Sequence, residues 1–296
     1  MNQPDKPTRS NAAFIGIMVA TLTPFDPSNR LDRGVIYDYT QFLINSGVRG
    51  LCPAGTTGEF FYLSSSEKRD VIVATVKAAA GNCPVIAGIW DRDLEEINSL
   101  ARFSEECGAD AVFLPPPIYY PASDATIVQY YEMVHQSTSL PVFCYNIPAY
   151  VGNAISLPAL DRMVEAGAIA GIKDSTGQRD RMMDLIARYG KTITVLAASD
   201  GFASESRELG AAGFISALAN IVPTIMVKVW NGDKDLQKAI NALREAVKRA
   251  GGIPALKYLA GLQGNQFGES RLPFSRLSTD NVALLQNAYR AISELI

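Results

Sequence analysis

The chain has 296 residues, 27 Lys and Arg against 30 Asp and Glu, a net charge of −3 and a pI near 5.4. That balance gives no electrostatic reason to expect nucleic acid or an anionic membrane as a partner. The length suffices for one large core, and no stretch approaches the ~18 consecutive apolar residues of a membrane span. Cys52, Cys83, Cys107 and Cys144 are scattered without a C-x-x-C pair. They fit reduced thiols in a cytoplasmic protein better than a disulfide framework or a zinc site.

In chain order, the polar opening "MNQPDKPTRSNAA" carries two prolines and no apolar signal core, and residues 1–12 read as a disordered leader. Eight short apolar runs follow: "FIGIMVATLTP", "GVRGLCPAG", "PVIAGI", "AVFLPPP", "PVFCYNIP", "IAGIKDS", "ITVLAAS" and "GFISALAN". They recur at intervals of roughly 25–35 residues, with amphipathic stretches between them. Asp32 precedes "RGVIYDYTQFLINSG", and Ser64 with Glu67 predicts a capping box before "KRDVIVATVKAAAG", a helix whose C-cap is expected at Gly81. Strands that are apolar throughout, each followed by a helix, predict a parallel sheet covered by helices. Eight such units predict an α/β fold of the (β/α)8 TIM-barrel type over residues 13–230, with an open doubly wound sheet as the alternative. Beyond it, helical patterns without strands predict an extension over residues 231–296, packed on the barrel by its apolar faces.

In such barrels the chemistry sits at the C-terminal ends of the strands, here "PAGTTGEF", "PPPIYYP", "CYNIP" and "GIKDSTG". Strand alternation sends Ile169, Gly171 and Lys173 to one side and Ala170 and Ile172 to the other. If the first set faces the axis, Lys173 is a partly desolvated amine at the barrel mouth, able to attack a ketone as a neutral nucleophile. Otherwise it marks an exposed strand end paired with a carboxylate. Tyr145 ends the preceding strand and is either the proton carrier such chemistry needs or a core aromatic. His135, the one histidine, falls in a predicted helix as a surface or packing residue, so no histidine-ligand metal site is expected. Gly55 and Gly58 bracket Thr56 and Thr57, whose N–H and O–H groups would suit a carboxylate, unless "GTTGE" is only a tight turn. Asp91, Asp174 and Asp200 are isolated from other acids, giving no acidic metal cluster.

The chain resembles the class I, pyruvate-dependent aldolases of the dihydrodipicolinate synthase and N-acetylneuraminate lyase superfamily. The resemblance rests on "TLTPFD" at Thr21–Asp26, "GTTGEF" at Gly55–Phe60, "YNIPAYVG" at Tyr145–Gly152, "GIKDSTG" at Gly171–Gly177 and "RLPFSRLS" near the C-terminus. It implies that Lys173 forms an imine with the 2-keto carbon of pyruvate or a 2-keto acid, with no metal or organic cofactor. It also implies that Tyr145 transfers protons and that Gly55, Thr56 and Thr57 hold the substrate carboxylate, with Thr56 linked into a hydroxyl relay. In the family a tyrosine from a neighbouring subunit completes that relay. "PIYYP" points to Tyr120, with Tyr119 beside it, and to a homotetramer built from tight dimers.

Departures bear on the substrate. Where dihydrodipicolinate synthases carry an arginine five residues after the catalytic tyrosine, this chain has Tyr150, so bidentate carboxylate pairing is lost. Where sialic acid lyases carry an Asp-Glu pair, Asp200 is kept and Gly201 follows. With Ser199 and Ser216, Tyr150 and Asp200 are the candidates for contacting the aldehyde half. The expected activity is reversible cleavage of a 2-keto-3-deoxy acid to pyruvate and an aldehyde, closest to the 2-keto-3-deoxy sugar acid aldolases. The alternatives are dihydrodipicolinate synthesis from pyruvate and aspartate semialdehyde, a sugar acid dehydratase using the same imine, and a non-catalytic keto-acid sensor.

Overall fold

A computed structural model describes residues 13–295, so the leader expected over residues 1–12 lies outside the described residues. The eight expected strands form: β1 (Gly16–Ala20), β2 (Gly50–Cys52), β3 (Ile86–Gly88), β4 (Ala111–Leu114), β5 (Val142–Asn146), β6 (Gly171–Asp174), β7 (Thr194–Ala198) and β8 (Gly213–Ser216). All pairings are parallel, in the order β2-β1-β8-β7-β6-β5-β4-β3. The ring closes between β2 and β3, where Leu51 bridges Val85 and the N–H of Leu51 donates to the carbonyl of Pro84 at 3.0 Å. The N–H of Gly88 continues that seam to the carbonyl of Pro53 at 2.9 Å. The fold is therefore a (β/α)8 barrel, not an open sheet.

Twelve α-helices occur among the described residues: α1 (Arg33–Asn45), α2 (Ser65–Ala79), α3 (Leu94–Cys107), α4 (Asp124–His135), α5 (Pro148–Val151), α6 (Leu157–Glu165), α7 (Arg179–Tyr189), α8 (Ala203–Leu209), α9 (Pro223–Trp230), α10 (Lys234–Arg249), α11 (Ile253–Gly261) and α12 (Thr279–Ser293). Their starts follow local chemistry. The Asp32 carboxylate accepts from the N–H groups of Gly34 and Val35, and Ser64 and Glu67 form the full capping box of α2. The end of α2 differs from expectation by one residue. Ala80, not Gly81, takes the left-handed C-cap at φ 47°, and Gly81 follows at φ 78°. No helix among the described residues is long and apolar enough to cross a membrane.

Alternation along the strands sorts the core into two. Met18, Cys52, Phe113, Phe143, Leu196 and Ile215 pack inside the ring, with Phe14 closing its lower end at 5.1 Å from the Phe143 ring. Val19, Leu51, Val112, Cys144, Ile172, Val195 and Phe214 face the helix layer. Ile169 belongs to this outer set and precedes β6, so the inward-facing set on that strand is Gly171 and Lys173 without Ile169. The last three helices pack together, α10 against both α11 and α12. The segment after α11 returns to the barrel, where the N–H of Phe25 donates to the carbonyl of Phe267 at 2.9 Å.

Candidate active site

Lys173 occupies the third position of β6 and is 4% exposed. Its register partner on β5 is Tyr145. Nζ lies 3.8 Å from the centroid of the Tyr145 ring and 5.3 Å from that of Phe113. Two aromatic faces thus receive the ammonium in place of water. One step down the strand, Gly171 leaves the room this packing needs. A Cβ there would stand 2.2 Å from Cε1 of Phe143 and 2.7 Å from the carbonyl oxygen of Thr194. Lys173 is therefore the buried, inward-facing lysine of the two readings, and no carboxylate pairs with it among the described residues.

Tyr145 is 4% exposed, also inside the ring. It is both a core aromatic and a neighbour of the lysine. Cys52 completes this floor from β2. Burial pushes its thiol up to about 12, against the opposing pull of the Lys173 charge, so it is a neutral packing group there.

The Gly55–Gly58 turn reaches the same floor through Phe113. A Cβ on Gly55 would lie 2.9 Å from Cζ of that ring. Backbone strain brackets the turn, because Ala54 and Glu59 both hold positive φ, 55° and 59°. Thr56 is half-buried and Thr57 buried. Among the described residues no hydrogen-bond partner is found for the N–H groups of Thr56, Thr57 and Gly58, or for the two threonine hydroxyls. A cradle of unpaired donors beside a lysine and a tyrosine suits an anionic group.

Residues 13–292 match the Dihydrodipicolinate synthetase family. The chain belongs to that family. It is similar to an uncharacterized DapA-like lyase of Halobacterium salinarum, 32% identical over 279 residues that cover 92% of this chain and 91% of the relative. A 4-hydroxy-tetrahydrodipicolinate synthase of Anaplasma marginale is 30% identical over 288 residues, covering 95% of each chain. Among solved structures, the chloride-inhibited dihydrodipicolinate synthase of Acinetobacter baumannii complexed with pyruvate has a TM-score of 0.90 at 28% identity, covering 95% of this chain and 99% of the other. The sialic acid aldolase of Ruminococcus gnavus shares the fold, with a TM-score of 0.91 at 22% identity over 95% and 98% of the two chains. As a member of the dihydrodipicolinate synthetase family, the chain is an enzyme, a carbon–carbon lyase.

Around the central group of this family member, the remaining expected residues divide. Tyr120 and Tyr119 are exposed, at 76% and 84%, with ring centroids 5.1 Å apart. Tyr119 rather than Tyr120 holds the strained backbone, at φ 82°. Tyr150 on α5 is also exposed. Asn153 ties the two loops together, donating to the carbonyls of Pro117 and Tyr120 at 2.7 and 2.9 Å and accepting from the N–H of Ala122 at 3.0 Å.

Asp200 and Ser216, expected to face substrate, are buried and spent on each other. The Ser216 hydroxyl donates to Oδ1 of Asp200 at 2.5 Å, and the N–H of Leu218 donates to its Oδ2 at 3.2 Å. Burial raises the Asp200 carboxyl above its ordinary range. The geometry makes this pair a brace between the ends of β7 and β8 instead of a pair of open ligands. His135 ends α4 in solvent. The three isolated acids each have partners, Asp91 taking a 2.8 Å ion pair from Lys68.

Several residues without an assigned role in the sequence reading surround the site. Asp174 points away from the ring into a buried network with Asn146, Thr176 and Arg181. Glu59, buried, meets Lys257 of α11 and the N–H of Arg271. Arg271 also spans to Glu67, to the carbonyls of Tyr62 and Asn29, and over the Phe25 ring at 4.2 Å. The signal for Lys257 was present, a cation inside the apolar run "IPALKYLAG".

Proposed function

We propose that this lyase cleaves a 2-keto-3-deoxy acid reversibly into pyruvate and an aldehyde through an imine on Lys173. The observation that carries the reading is the buried amine of Lys173, 3.8 Å from the Tyr145 ring and without a carboxylate partner among the described residues. The amine attacks the C2 ketone and water leaves, giving the protonated imine. Tyr145 takes the proton of the C4 hydroxyl as the C3–C4 bond breaks. The bonding electrons flow through C2 to the imine nitrogen, the aldehyde departs and an enamine of pyruvate remains. Protonation at C3 and addition of water to C2 release pyruvate and restore the lysine. No metal or organic cofactor takes part in this sequence. Gly55, Thr56 and Thr57 hold the carboxylate, with the Thr56 hydroxyl as the next group in the proton relay.

In this reading the exposed tyrosines of the β4–α4 loop meet a second copy of the chain, within a homotetramer built from dimers. Contiguous exposed aromatics of this kind are enriched at contacts between proteins. Tyr150 replaces an arginine on the side of the aldehyde, which favours a polar but uncharged partner over an anionic one. The second reading, condensation of pyruvate with aspartate semialdehyde, is favoured by the relatives named 4-hydroxy-tetrahydrodipicolinate synthase. Borohydride reduction with pyruvate tests the shared step: a mass increase on Lys173 is expected, and no adduct with pyruvate in excess would sink both readings. A panel of 2-keto-3-deoxy acids assayed for pyruvate release, beside pyruvate with aspartate semialdehyde, separates the two.

A further inference from the structure

The turn that would seat the carboxylate ends on a residue with no intrinsic reason to be there. Glu59 holds φ 59° and ψ 32°, a left-handed conformation that non-glycine side chains avoid. Such strain persists only where the surroundings over-determine it. Here they do so from outside the barrel. Oε1 of Glu59 lies 2.5 Å from Nζ of Lys257, and both side chains are almost wholly buried. Oε2 accepts the N–H of Arg271 at 2.9 Å. Lys257 is itself fixed, with Nζ donating to the carbonyl of Glu269 at 3.3 Å and lying 4.1 Å from the centre of the Phe25 ring. Burial pulls its ammonium down to about 8, against the opposing pull of Glu59.

A buried ion pair is weak evidence for stability, since apolar side chains of similar volume would serve as well or better. What an apolar pair would not supply is a fixed direction for the Glu59 carboxylate, and through it for the backbone of the turn. The N–H of Glu59 donates to the carbonyl of Thr56 at 3.1 Å, so a rotation at Glu59 is felt directly at Thr56, the first residue of the nest. The residue before Glu59 is held from the loop after β1, where the Thr23 hydroxyl donates to the carbonyl of Gly58 at 2.7 Å.

We propose that the Lys257–Glu59 ion pair positions the Thr56–Thr57 nest for the substrate carboxylate. The C-terminal extension thereby takes part in substrate recognition without touching substrate. The inference rests on the Schiff-base reading, in that pyruvate is the carboxylate seated there.

Borohydride trapping on Lys173, titrated with pyruvate and separately with acetone, tests it, because acetone presents the ketone without the carboxylate. Lys257→Met is expected to raise the pyruvate concentration for half-maximal trapping by about tenfold and to leave acetone trapping as in the unaltered protein. Lys257→Arg, which keeps the charge, is expected to stay close to it. A parallel loss with both ketones, or no change with either, would overturn the inference. Should Lys257→Met fail to fold, Glu59→Gln carries the same test. An unaltered protein that forms no pyruvate adduct removes the Schiff-base reading and this inference with it. An unaltered protein that traps pyruvate, with variants that need no more of it, overturns the inference alone.

Discussion

The amide of Asn146 donates to Oδ2 of Asp174 over 2.7 Å, one residue beyond the Tyr145–Lys173 pair and on the opposite face of the same two strands. Behind the reactive pair, the register of β5 against β6 is thus pinned by a polar clamp. Arg181 adds a 2.7 Å ion pair to the same carboxylate oxygen and donates to the carbonyl of Ile155 at 2.8 Å. Removing the acid leaves a largely buried guanidinium uncompensated. Asp174→Ala is expected to lose about 3 kcal/mol of stability, by analogy with other broken buried pairs, read from denaturant unfolding. A loss below about 0.5 kcal/mol, the usual size of a surface change, would show that the clamp is dispensable.

In the proposed mechanism Tyr145 transfers protons whereas Lys173 forms the covalent bond, so their variants separate in kind. Lys173→Ala is expected to abolish borohydride trapping with the fold intact. Tyr145→Phe keeps the ring that faces the lysine at 3.8 Å and removes only the hydroxyl. Its kcat is expected to fall by about 10²–10⁴-fold, the range of general acid–base catalysis. Trapping with pyruvate should still reach completion, more slowly. A Tyr145→Phe enzyme within a few-fold of normal turnover would remove the hydroxyl from the mechanism.

The barrel was legible because eight buried parallel strands write themselves as apolar runs with little polar interruption. Strand alternation put Gly171 and Lys173 on one face but left open whether that face was the barrel axis, and Ile169 does not share it because β6 begins at Gly171. What the chain order hid was polar and long-range. Glu59 and Lys257 are far apart in sequence, and neither residue's neighbours announce the other. Asp200 reads as a ligand from the acid that sialic acid lyases keep at that place, and Ser216 from its position at the barrel mouth. The choice between an open ligand and a mutually satisfied buried pair depends on a 2.5 Å contact that periodicity cannot encode.

Gly171 offers a test of how tightly the lysine strand is fitted. A methyl group there meets the Phe143 ring, buried against Phe14, and the backbone carbonyl of Thr194. Gly171→Ala is expected to cost about 1–3 kcal/mol through overpacking, measured by chemical denaturation. The added volume lies two residues from Lys173 on the same face, so slower pyruvate trapping should accompany the loss. Unchanged stability would show that β6 has slack.

Glu67 gives the acid limb of stability a predictable sign. Hydrogen bonds from Arg271 hold its carboxyl down at about 2, from an ordinary value of 4.5. Between those values the unfolded chain binds a proton that the folded protein refuses, so stability falls as pH falls through the window. The contribution is complete above about 4.5 and gone once the folded carboxyl is protonated near 2. Glu67→Gln should therefore be less stable at neutral pH and should lose less on acidification to pH ~3. Urea midpoints of both proteins at the two pH values check this. Equal acid slopes would place the effect elsewhere.

Tyr119 and Tyr120 stand side by side in solvent, and the resemblance pointed to Tyr120 as the relay residue. The backbone points to Tyr119. A tyrosine at φ 82° is costly, and the cost is retained where the direction of the side chain matters. Tyr120 has no such constraint, and its carbonyl is used by Asn153. Tyr119→Phe is expected to lower kcat by at least tenfold with KM for the keto acid little changed, as befits a proton relay. Tyr120→Phe should stay within about twofold of the unaltered enzyme. If the relay reaches across a contact between two copies, mixing Tyr119→Phe with Lys173→Ala chains should restore part of the activity that each lacks alone. Recovery of activity with Tyr120→Phe in the mixture, and none with Tyr119→Phe, would return the role to Tyr120.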